Sequence, residues 1–331
     1  MLWTHSLFIL IFFQTLIGPY TGELVVERVC FFRKLCLLLP YYFPFNVADS
    51  IRFLFLNGTT PGDFEVIPLH KSPQLLNNSL FELEKPTVIY MPGYTERYDT
   101  ESVRTVIQAY LDKGGHNLMI VDAYRALSNP DYLATLKTVP TVARAVAASI
   151  DDMVRAGLHT SSIHIIGHSL GGQAAGYVGK YITTGKVHRI TALDPAMFFT
   201  TGLRRTLRRK VAGTVDIIHT DAGNYGDESS AYTLDFYPNG GRKYQPGCKG
   251  ARPYCSHQRS WRYYAESVIY EKAFPAVKCD SWNHFKDGTC KKVSNQSVYM
   301  GYPCNSHAAG KYYLRTRDEY PFGLGDHTET L

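Results

Sequence analysis

Apolar and polar positions change period repeatedly between residues 86 and 220. Short apolar runs with the composition of buried strands lie at 87–91, 117–124, 163–166, 188–194 and 214–221. Runs with helical spacing lie between them, at 101–114, 139–157 and 171–179. Strands that alternate with helices predict βαβ units and therefore an α/β fold with a mostly parallel sheet flanked by helices. In such sheets chemistry gathers at the carboxyl ends of the strands.

One of these strand-to-helix turns carries the motif GHSLG, residues 167–171. G-x-S-x-G between an apolar strand and a small-residue helix predicts a nucleophile elbow, a sharp turn that lifts the serine hydroxyl clear of the sheet. Glycines on both sides permit the strained backbone and let strand and helix approach each other. Ser169 is therefore the candidate nucleophile. The backbone N–H of Leu170, at the helix N-terminus, is a candidate donor to an oxyanion.

A serine nucleophile needs a histidine to take its proton and an acid to orient that histidine. In this type of sheet the chain order is serine, acid, histidine. Two acids fit equally well, Asp194 and Asp221, because each ends a predicted strand. His257, which we interpret as lying in a Gly/Pro-rich loop beyond the last strand, is the leading base. Four other histidines are considered. His284 and His307 are later alternatives, and His219 lies inside a predicted strand. His168 is a neighbour of the nucleophile and is expected to point elsewhere.

The N-terminus predicts secretion. An apolar run at 7–17 is followed by GPYTG, which matches the length and ending of a signal peptide over residues 1–22, and is too short to span a bilayer. A second apolar stretch at 35–45 is broken by Pro40 and Pro44, and we interpret it as surface or core packing of the mature protein. Residues 23–331 are then predicted to form a single catalytic domain in an extracellular protein.

Cysteines and glycosylation motifs agree with that compartment. The seven cysteines show no zinc-site spacing with histidine partners, and local disulfides Cys248–Cys255 and Cys279–Cys290 are the plausible pairs. Their odd number leaves at least one unpaired or bonded between chains, and the sequence does not assign Cys30, Cys36 or Cys304. Asn-x-Ser/Thr sequons make three residues glycosylation candidates: Asn57, Asn77 and Asn295.

Composition narrows the function classes. An apolar share of 45% supports a packed core, and a formal charge of +6 is a mild excess that a solvated basic face explains. No nucleic-acid-binding pattern accompanies that charge, so a nucleic-acid partner is not expected. We also expect no cofactor.

Several motifs in order resemble the pancreatic-lipase family over roughly residues 50 to 320. They are GHSLGGQAAGYVG, ITALDPA, VDIIHTDAGNYG, LDFYPNGG, QPGC and CSHQRS. The chain is most similar to the single-domain animal branch of neutral lipases, phospholipases A1 and yolk-protein relatives. The resemblance implies an α/β-hydrolase fold and a triad of Ser169, Asp194 and His257, and so selects Asp194 over Asp221.

The resemblance also implies the second oxyanion donor, the backbone N–H of Tyr94 in the stretch MPGYTE. The family's histidine is replaced here by Pro92. Proline lacks an N–H group, but the expected donor belongs to Tyr94, so the oxyanion hole can still form.

Two further departures concern metal and appended parts. Family members with a calcium site take its carboxylates from the stretch after L-D-P-A, but residues 196–215 here contain no Asp or Glu, so no metal is expected. The same stretch carries a basic cluster, which we interpret as a solvated helix face that could alternatively meet phospholipid headgroups: Arg204, Arg205, Arg208, Arg209 and Lys210. A late strand is predicted at 310–316. The 74 residues after His257 leave no room for a β-sandwich domain, and no colipase-type partner is implied.

In lidded family members, the cysteines of Q-P-G-C and C-S-H bracket a long amphipathic lid. Here Cys248 and Cys255 enclose only KGARPY. The resemblance therefore implies a phospholipase A1-like lipid ester hydrolase with weak interfacial activation, acting at a membrane, lipoprotein or emulsion surface. The alternatives are a neutral triacylglycerol lipase and a non-catalytic, yolk-protein-like lipid-binding relative.

Overall fold

The computed structural model describes residues 24–31, 35–42, 47–197, 206–229, 234–248, 250, 253–290, 298–304 and 308–327. The predicted signal peptide, Asn295 and His307 lie outside these ranges. The chain divides into two compact units, Met1–Val47 and Ala48–Leu331. In the first unit, β1 (Leu24–Phe31) pairs antiparallel with β2 (Leu35–Tyr42), and Cys30 lies opposite Cys36 in the register.

The second unit is built on a sheet of 11 strands among its described residues. The strands are β3 Arg52–Leu56, β4 Phe64–Pro68, β5 Thr87–Met91, β6 Asn117–Asp122, β7 Ile163–His168, β8 Arg189–Leu193, β9 Thr214–Ile218, β10 Leu234–Pro238, β11 Pro275–Lys278, β12 Val298–Tyr299 and β13 Gly310–Leu314. Their order across the sheet is β12-β11-β13-β10-β9-β8-β7-β5-β6-β3-β4. The strands from β6 to β13 through β5, β7, β8, β9 and β10 are parallel, and the outer pairings are antiparallel. This confirms the predicted α/β-hydrolase class.

Helices connect the strands. The α-helices are α1 Glu101–Lys113, α2 Tyr124–Leu127, α3 Tyr132–Arg155, α4 Leu170–Tyr181, α5 Cys255–Ile269 and α6 Trp282–Lys286, and short 3₁₀ helices cover Ala48–Ser50, Leu69–Asn77 and Thr160–Ser162. α1 ends where Gly114 takes φ 69°, a left-handed conformation that glycine adopts without strain. Asp131 caps the start of α3, and its carboxylate accepts the N–H groups of Leu133 and Ala134.

Helices cover both faces of the central strands. α1 packs on α5, and α3 packs on α4. Val88 and Tyr90 of β5 join one core cluster with Val103 and Ile107 of α1. The side chains of alternate residues point to opposite faces of a strand, and Ile89, between Val88 and Tyr90, is also fully buried. A parallel sheet of this kind reads as continuous apolar runs, which is why the sequence identified its central strands.

The register aligns the ends of the strands that carry the candidate residues. Met91 of β5 lies beside Gly167 of β7, and His168 lies beside Leu193 of β8. Leu193 in turn lies beside Ile218 of β9. The residues that follow these strand ends therefore meet at one edge of the sheet.

The structure corrects several predicted elements. His257 is not in a loop beyond the last strand: it lies in the first turn of α5, and β11, β12 and β13 follow it. α3 begins at Tyr132 rather than at residue 139, because the Asp131 cap starts it about two turns earlier and Pro140 is tolerated inside it. The sequence also missed the antiparallel strands β3 and β4 and the strand β10.

The basic cluster is also not a helix where it is described. Arg208, Arg209 and Lys210 are exposed in a turn, while Arg204 and Arg205 lie outside the described residues. The sequon residues Asn57 and Asn77 are exposed. Among the described residues, no helix is both long enough and apolar enough to cross a membrane.

Candidate active site

Ser169 lies in a strained turn between β7 and α4. Its φ of 52° and ψ of −119° are outside the ordinary regions for a residue with a side chain. Its N–H donates to the carbonyl of Leu193 at 2.9 Å. The close approach needs glycine nearby, because a Cβ at Gly171 would collide with the carbonyl oxygens of Met91 and Pro92, and one at Gly167 would collide with the backbone of Gly171. The geometry is that of the predicted nucleophile elbow.

Asp194 and His257 are in direct contact. Asp194 follows β8 with φ 42° and is fully buried, and its Oδ2 lies 2.6 Å from His257 Nδ1. Its Oδ1 accepts the backbone N–H groups of Thr220 at 2.8 Å and Asp221 at 3.0 Å. Because a carboxylate can only accept, Nδ1 of His257 carries the shared proton and Nε2 is left to act on a substrate.

Asp221, the other candidate acid, faces a different partner. Its Oδ2 accepts the side-chain N–H of Asn224 at 2.8 Å, and its Oδ1 is buried without a hydrogen-bond partner in the described part of the chain. Burial raises the pKa of Asp221, and the nearby charge of Asp194 raises it further. Its backbone supports Asp194, but its carboxylate does not orient His257.

Ser169 and His257 line a common cavity of about 590 Å³. No hydrogen bond joins the side chain of Ser169 to His257 among the described residues. Such bonds in unliganded enzymes commonly tighten only when substrate binds. Aromatic side chains line much of the same cavity: Tyr94, Tyr132, Tyr225, Tyr254 and Trp261. The cavity is therefore a largely apolar cleft at the sheet edge, which suits an acyl chain.

Two backbone N–H groups beside Ser169 are available to an oxyanion. Within the described residues, neither the N–H of Tyr94 nor that of Leu170 donates to an acceptor. Leu170 is the first residue of α4, where the helix dipole favours negative charge. The loop of Gly93 and Tyr94 lies against the elbow, since a Cβ at Gly93 would stand 3.1 Å from both Ser169 Cβ and the carbonyl oxygen of His168. Unpaired N–H groups are uncommon in folded proteins and fit a binding role.

A buried ion pair borders this loop and was not foreseen. Glu96 Oε1 lies 2.8 Å from His168 Nδ1, and Ser102 donates its hydroxyl to the same oxygen at 2.7 Å. Glu96 Oε2 accepts the N–H of Gly93 at 2.7 Å. We expected His168 to point away from the site, but its ring lies 4.8 Å from that of His257. The sequence signal was faint: a glutamate three residues after the glycine of a turn.

The charges of this pair are mutually stabilised. Burial by itself lowers the pKa of His168, but the Glu96 carboxylate and the hydrogen bond to it raise the pKa above its ordinary value. Burial likewise raises the pKa of Glu96, yet His168 and the donors from Ser102 and Gly93 hold it below the ordinary value. Glu96 therefore favours the protonated form of His168, and His168 favours the ionised form of Glu96.

Of the other candidate histidines, the two that the structure describes, His219 and His284, have no hydrogen bond to Ser169 or Asp194. His219 follows β9, is fully buried and contacts Asp235 Oδ1 through Nε2 at 3.0 Å. His284 is exposed on α6. No group of three or more metal-binding side chains occurs among the described residues.

A disulfide holds the start of the helix that carries His257. Cys248 is bonded to Cys255, the first residue of α5, and Cys279 is bonded to Cys290. Next to it, the hydroxyl of Ser256 accepts the N–H groups of Tyr244 and Gln245 at 3.0 and 3.1 Å. Three residues of the enclosed loop, 249, 251 and 252, lie outside the described residues, so the structure of the short bracket is not described.

Comparison with known proteins adds to this geometry. The model of the family described as Lipase matches residues 45–322. The chain belongs to the lipase family. That match covers the sheet, the elbow, α5 and the residues that the family pattern assigned to the site.

Two mammalian proteins illustrate its similarity to other lipase-family members. An inactive pancreatic lipase-related protein 1 of Homo sapiens is 31% identical over 81% of this chain and 61% of its own length. A pancreatic triacylglycerol lipase of Oryctolagus cuniculus is 29% identical over 84% of this chain and 67% of its own length. The matched part of the lipase-family chain thus spans about three fifths to two thirds of these relatives. A solved dienelactone hydrolase-like phosphotriesterase from metagenomic libraries is 14% identical with a TM-score of 0.35, covering 56% of this chain and 85% of that one.

Proposed function

We propose that this lipase-family protein hydrolyses carboxylic esters of lipids with a triad of Ser169, His257 and Asp194. The observation that carries the proposal is the 2.6 Å contact between Asp194 and His257, formed at the same cavity as Ser169 in its strained turn. A buried acid that holds Nδ1 of a histidine leaves Nε2 as the base for a serine hydroxyl. A purely structural His-Asp pair would not need an elbow beside it.

The proposed reaction follows from these groups. Ser169 Oγ attacks the acyl carbonyl carbon while its proton passes to His257 Nε2, and the carbonyl π electrons move to oxygen. The N–H groups of Tyr94 and Leu170 stabilise that oxyanion. The tetrahedral intermediate expels the alcohol, which takes the proton from His257. Water then attacks the acyl-enzyme by the same route and releases a fatty acid.

Phospholipid is the proposed substrate, attacked at the sn-1 ester. The short bracket between Cys248 and Cys255 supports this, because six residues cannot form an amphipathic helix across the cleft. An uncovered site admits polar headgroups, and we propose weak or absent interfacial activation. A neutral triacylglycerol lipase is the second candidate, and the rabbit triacylglycerol lipase among its relatives favours it.

A third candidate is a lipid-binding protein without catalysis, and the inactive human relative is the observation that favours it. The arrangement of polar groups at the site favours a catalytic function over lipid storage. Two unengaged N–H groups and a fully buried carboxylate beside a histidine are costly in a fold that only stores lipid.

We further propose an extracellular protein with a signal peptide at residues 1–22 and one catalytic domain within 23–331. The exposed Asn57 and Asn77, together with the two disulfides, suit an oxidising and glycosylating compartment. N-terminal sequencing of the secreted product would test the cleavage site.

The proposed function is tested by fatty-acid release from phosphatidylcholine vesicles and from triglyceride emulsions, with Ser169→Ala as the control. We expect release from vesicles, with cleavage at sn-1, and none from the variant. Preferential release from triglyceride would replace the phospholipid proposal with the neutral-lipase one. A sharp increase in activity at the aggregation threshold of the substrate would contradict the open-site account. No release from either substrate by the wild type would support the non-catalytic alternative.

A further inference from the structure

The two expected oxyanion donors lie on separate parts of the chain. The N–H of Tyr94 belongs to the loop after β5, and that of Leu170 belongs to the elbow after β7. An oxyanion hole works only if both donors are held in place before the reaction, because reorienting them in the transition state costs free energy. Something must therefore fix the loop relative to the elbow.

We propose that Glu96 and His168 act as positioning residues, an ion-paired latch that fixes the loop donor of the oxyanion hole relative to the nucleophile. The inference rests on the proposed function, because it deepens the role of that same site. The latch is defined as the Glu96 carboxylate together with its three donors, which are His168 Nδ1, the Ser102 hydroxyl and the Gly93 N–H.

Glu96 holds the peptide unit that carries the Tyr94 N–H. The carbonyl of Gly93 and the N–H of Tyr94 belong to one planar trans peptide, so they point in opposite directions. The backbone N–H of Glu96 donates to that carbonyl at 3.2 Å, while its carboxylate accepts the preceding N–H of Gly93 at 2.7 Å. With the carbonyl engaged, the N–H of Tyr94 is aimed the other way and remains unengaged.

The next residue closes the turn. Thr95 takes φ 59° and donates its N–H to the carbonyl of Leu127 at 3.1 Å. A left-handed threonine is strained and persists only where its surroundings determine it. Glu96, the residue after it, is half-buried and bonds back to Gly93 through both its backbone N–H and its carboxylate, so this turn is held at both ends.

His168 connects the latch to the nucleophile, Ser169. It is the last residue of β7 and directly precedes Ser169, and 5% of its side chain is exposed. Its bond to Glu96 therefore links the two chain segments that carry the two donors. Ser102, in the first turn of α1, holds the same carboxylate oxygen from a third element.

The charged groups around the latch set its pH range. His168 faces Glu96 on one side and His257 and Asp194 on the other, and Glu96 also faces the Tyr90 hydroxyl. Glu96 raises the pKa of His168 and His168 lowers the pKa of Glu96, so each group favours the charged form of the other. The latch should weaken as the pH rises through the raised pKa of His168.

The test compares Glu96→Gln, His168→Gln and their double variant with Glu266→Gln. Glu266 is a matched control on α5, since its buried carboxylate also accepts two backbone N–H groups, from Phe322 and Gly323, and pairs with a histidine, His327. kcat and KM are measured on p-nitrophenyl butyrate, normalised to active sites titrated with a fluorophosphonate. The inhibition constant of a trifluoromethyl ketone is measured alongside, because its adduct with serine places an oxyanion in the hole.

We expect Glu96→Gln and His168→Gln each to lower kcat per active site roughly 10- to 100-fold with KM little changed. The ketone should bind more weakly by the same factor, and the double variant should be no worse than the poorer single one, since the two residues act as a unit. kcat/KM of the wild type should decline as the pH rises through the raised pKa of His168, and that decline should disappear in Glu96→Gln. Glu266→Gln should keep the wild-type kcat per active site even if it melts at a lower temperature.

Wild-type kcat in both single variants would overturn the latch. A change in KM alone would also overturn it, as would an inhibition constant of the ketone that does not change in parallel with kcat. Additive losses in the double variant would also overturn it. If one single variant does not fold, the other gives the same comparison. A wild-type protein that neither hydrolyses the ester nor binds the ketone would instead overturn the proposed function.

Discussion

The carboxylate of Asp194 occupies the space that a side chain at position 226 would need. A Cβ on Gly226 would lie 2.5 Å from Oδ1 and 2.7 Å from Oδ2 of Asp194. Because Oδ1 is held by two backbone N–H groups and Oδ2 by His257, the carboxylate has no free direction in which to move. The absence of a side chain at residue 226 is thus part of how the acid is positioned.

We predict that Gly226→Ala displaces Asp194 and misorients His257. The expected result is a loss of kcat of roughly 100-fold and a destabilisation of about 1–3 kcal/mol from overpacking. Ester hydrolysis and chemical denaturation measure the two effects. Gly62→Ala is the matched control, because the nearest atom to its Cβ would be Thr60 Oγ1 at 3.7 Å. Equal activity of Gly226→Ala and Gly62→Ala would contradict the prediction.

Substitutions of Asp194 and Asp221, the acids that follow β8 and β9, are predicted to have very different effects on kcat. Asp194→Asn presents an amide N–H toward His257 Nδ1 and favours the wrong tautomer, so kcat should fall roughly 10³- to 10⁴-fold. Asp221→Asn should cost much less, because its carboxylate contacts Asn224 and its backbone N–H to Asp194 is retained. Steady-state kinetics of both variants checks this. A loss in Asp221→Asn as large as in Asp194→Asn would refute the assignment of the acid.

The Glu96–His168 pair is predicted to stabilise the fold in a defined pH window. The pKa of Glu96 is lowered from 4.5, so its contribution is complete above that value and is lost as the pH falls through the lowered pKa. The pKa of His168 is raised from 6.5, so its contribution is complete below that value and is lost as the pH rises through the raised pKa. Both contributions are therefore complete between pH 4.5 and 6.5.

The measurement is the difference in free energy of unfolding between wild type and Glu96→Gln at pH 5.5 and at pH 9. We expect the difference to be larger at pH 5.5. A difference that does not change with pH would mean that the pair is held by a neutral hydrogen bond.

The two disulfides are predicted to have separable effects. Replacing Cys248 and Cys255 with serine should lower both stability and kcat, because the bond anchors the turn of α5 that carries His257. Replacing Cys279 and Cys290 should lower stability alone, since that pair belongs to the small cluster with Tyr237 and Tyr313. Each removal should cost on the order of 2–4 kcal/mol. Melting temperature and kcat per titrated active site distinguish the two effects, and equal loss of kcat in both would contradict the assignment.

The sequence could predict the strands that the active site needs because they are buried on both faces. β5, β7, β8 and β9 are fully buried and rich in apolar and β-branched residues, with turn residues after them, and that pattern identifies them without further context. The edge strand β4 and the strand β10 are harder to predict from the sequence. β4 lies at the sheet edge with Glu65 and Val66 both exposed and Ile67 as its one buried residue, and β10 carries a buried Asp235 at its second position and ends in Pro238.

The candidate site was predictable in its residue types but less so in its contacts. Asp194 and Asp221 end neighbouring parallel strands, so the pattern of positions cannot separate them. In the structure, the left-handed backbone of Asp194 and the N–H groups after β9 that bond to its carboxylate distinguish it from Asp221. The glycines and prolines before His257 predict a loop, yet α5 begins at Cys255, which is bonded to Cys248. Glu96 left almost no signal, since its partners come from three separate segments of the chain.

The most direct test of the central claim is covalent labelling of the wild-type protein with a fluorophosphonate, followed by peptide mapping. The account predicts one adduct per molecule, on Ser169, with displacement of fluoride by its oxygen. Ser169→Ala should not be labelled, and Asp194→Asn should be labelled far more slowly. No labelling of the wild type, or equal labelling of wild type and Ser169→Ala, would contradict the claim that Ser169, His257 and Asp194 form a working triad.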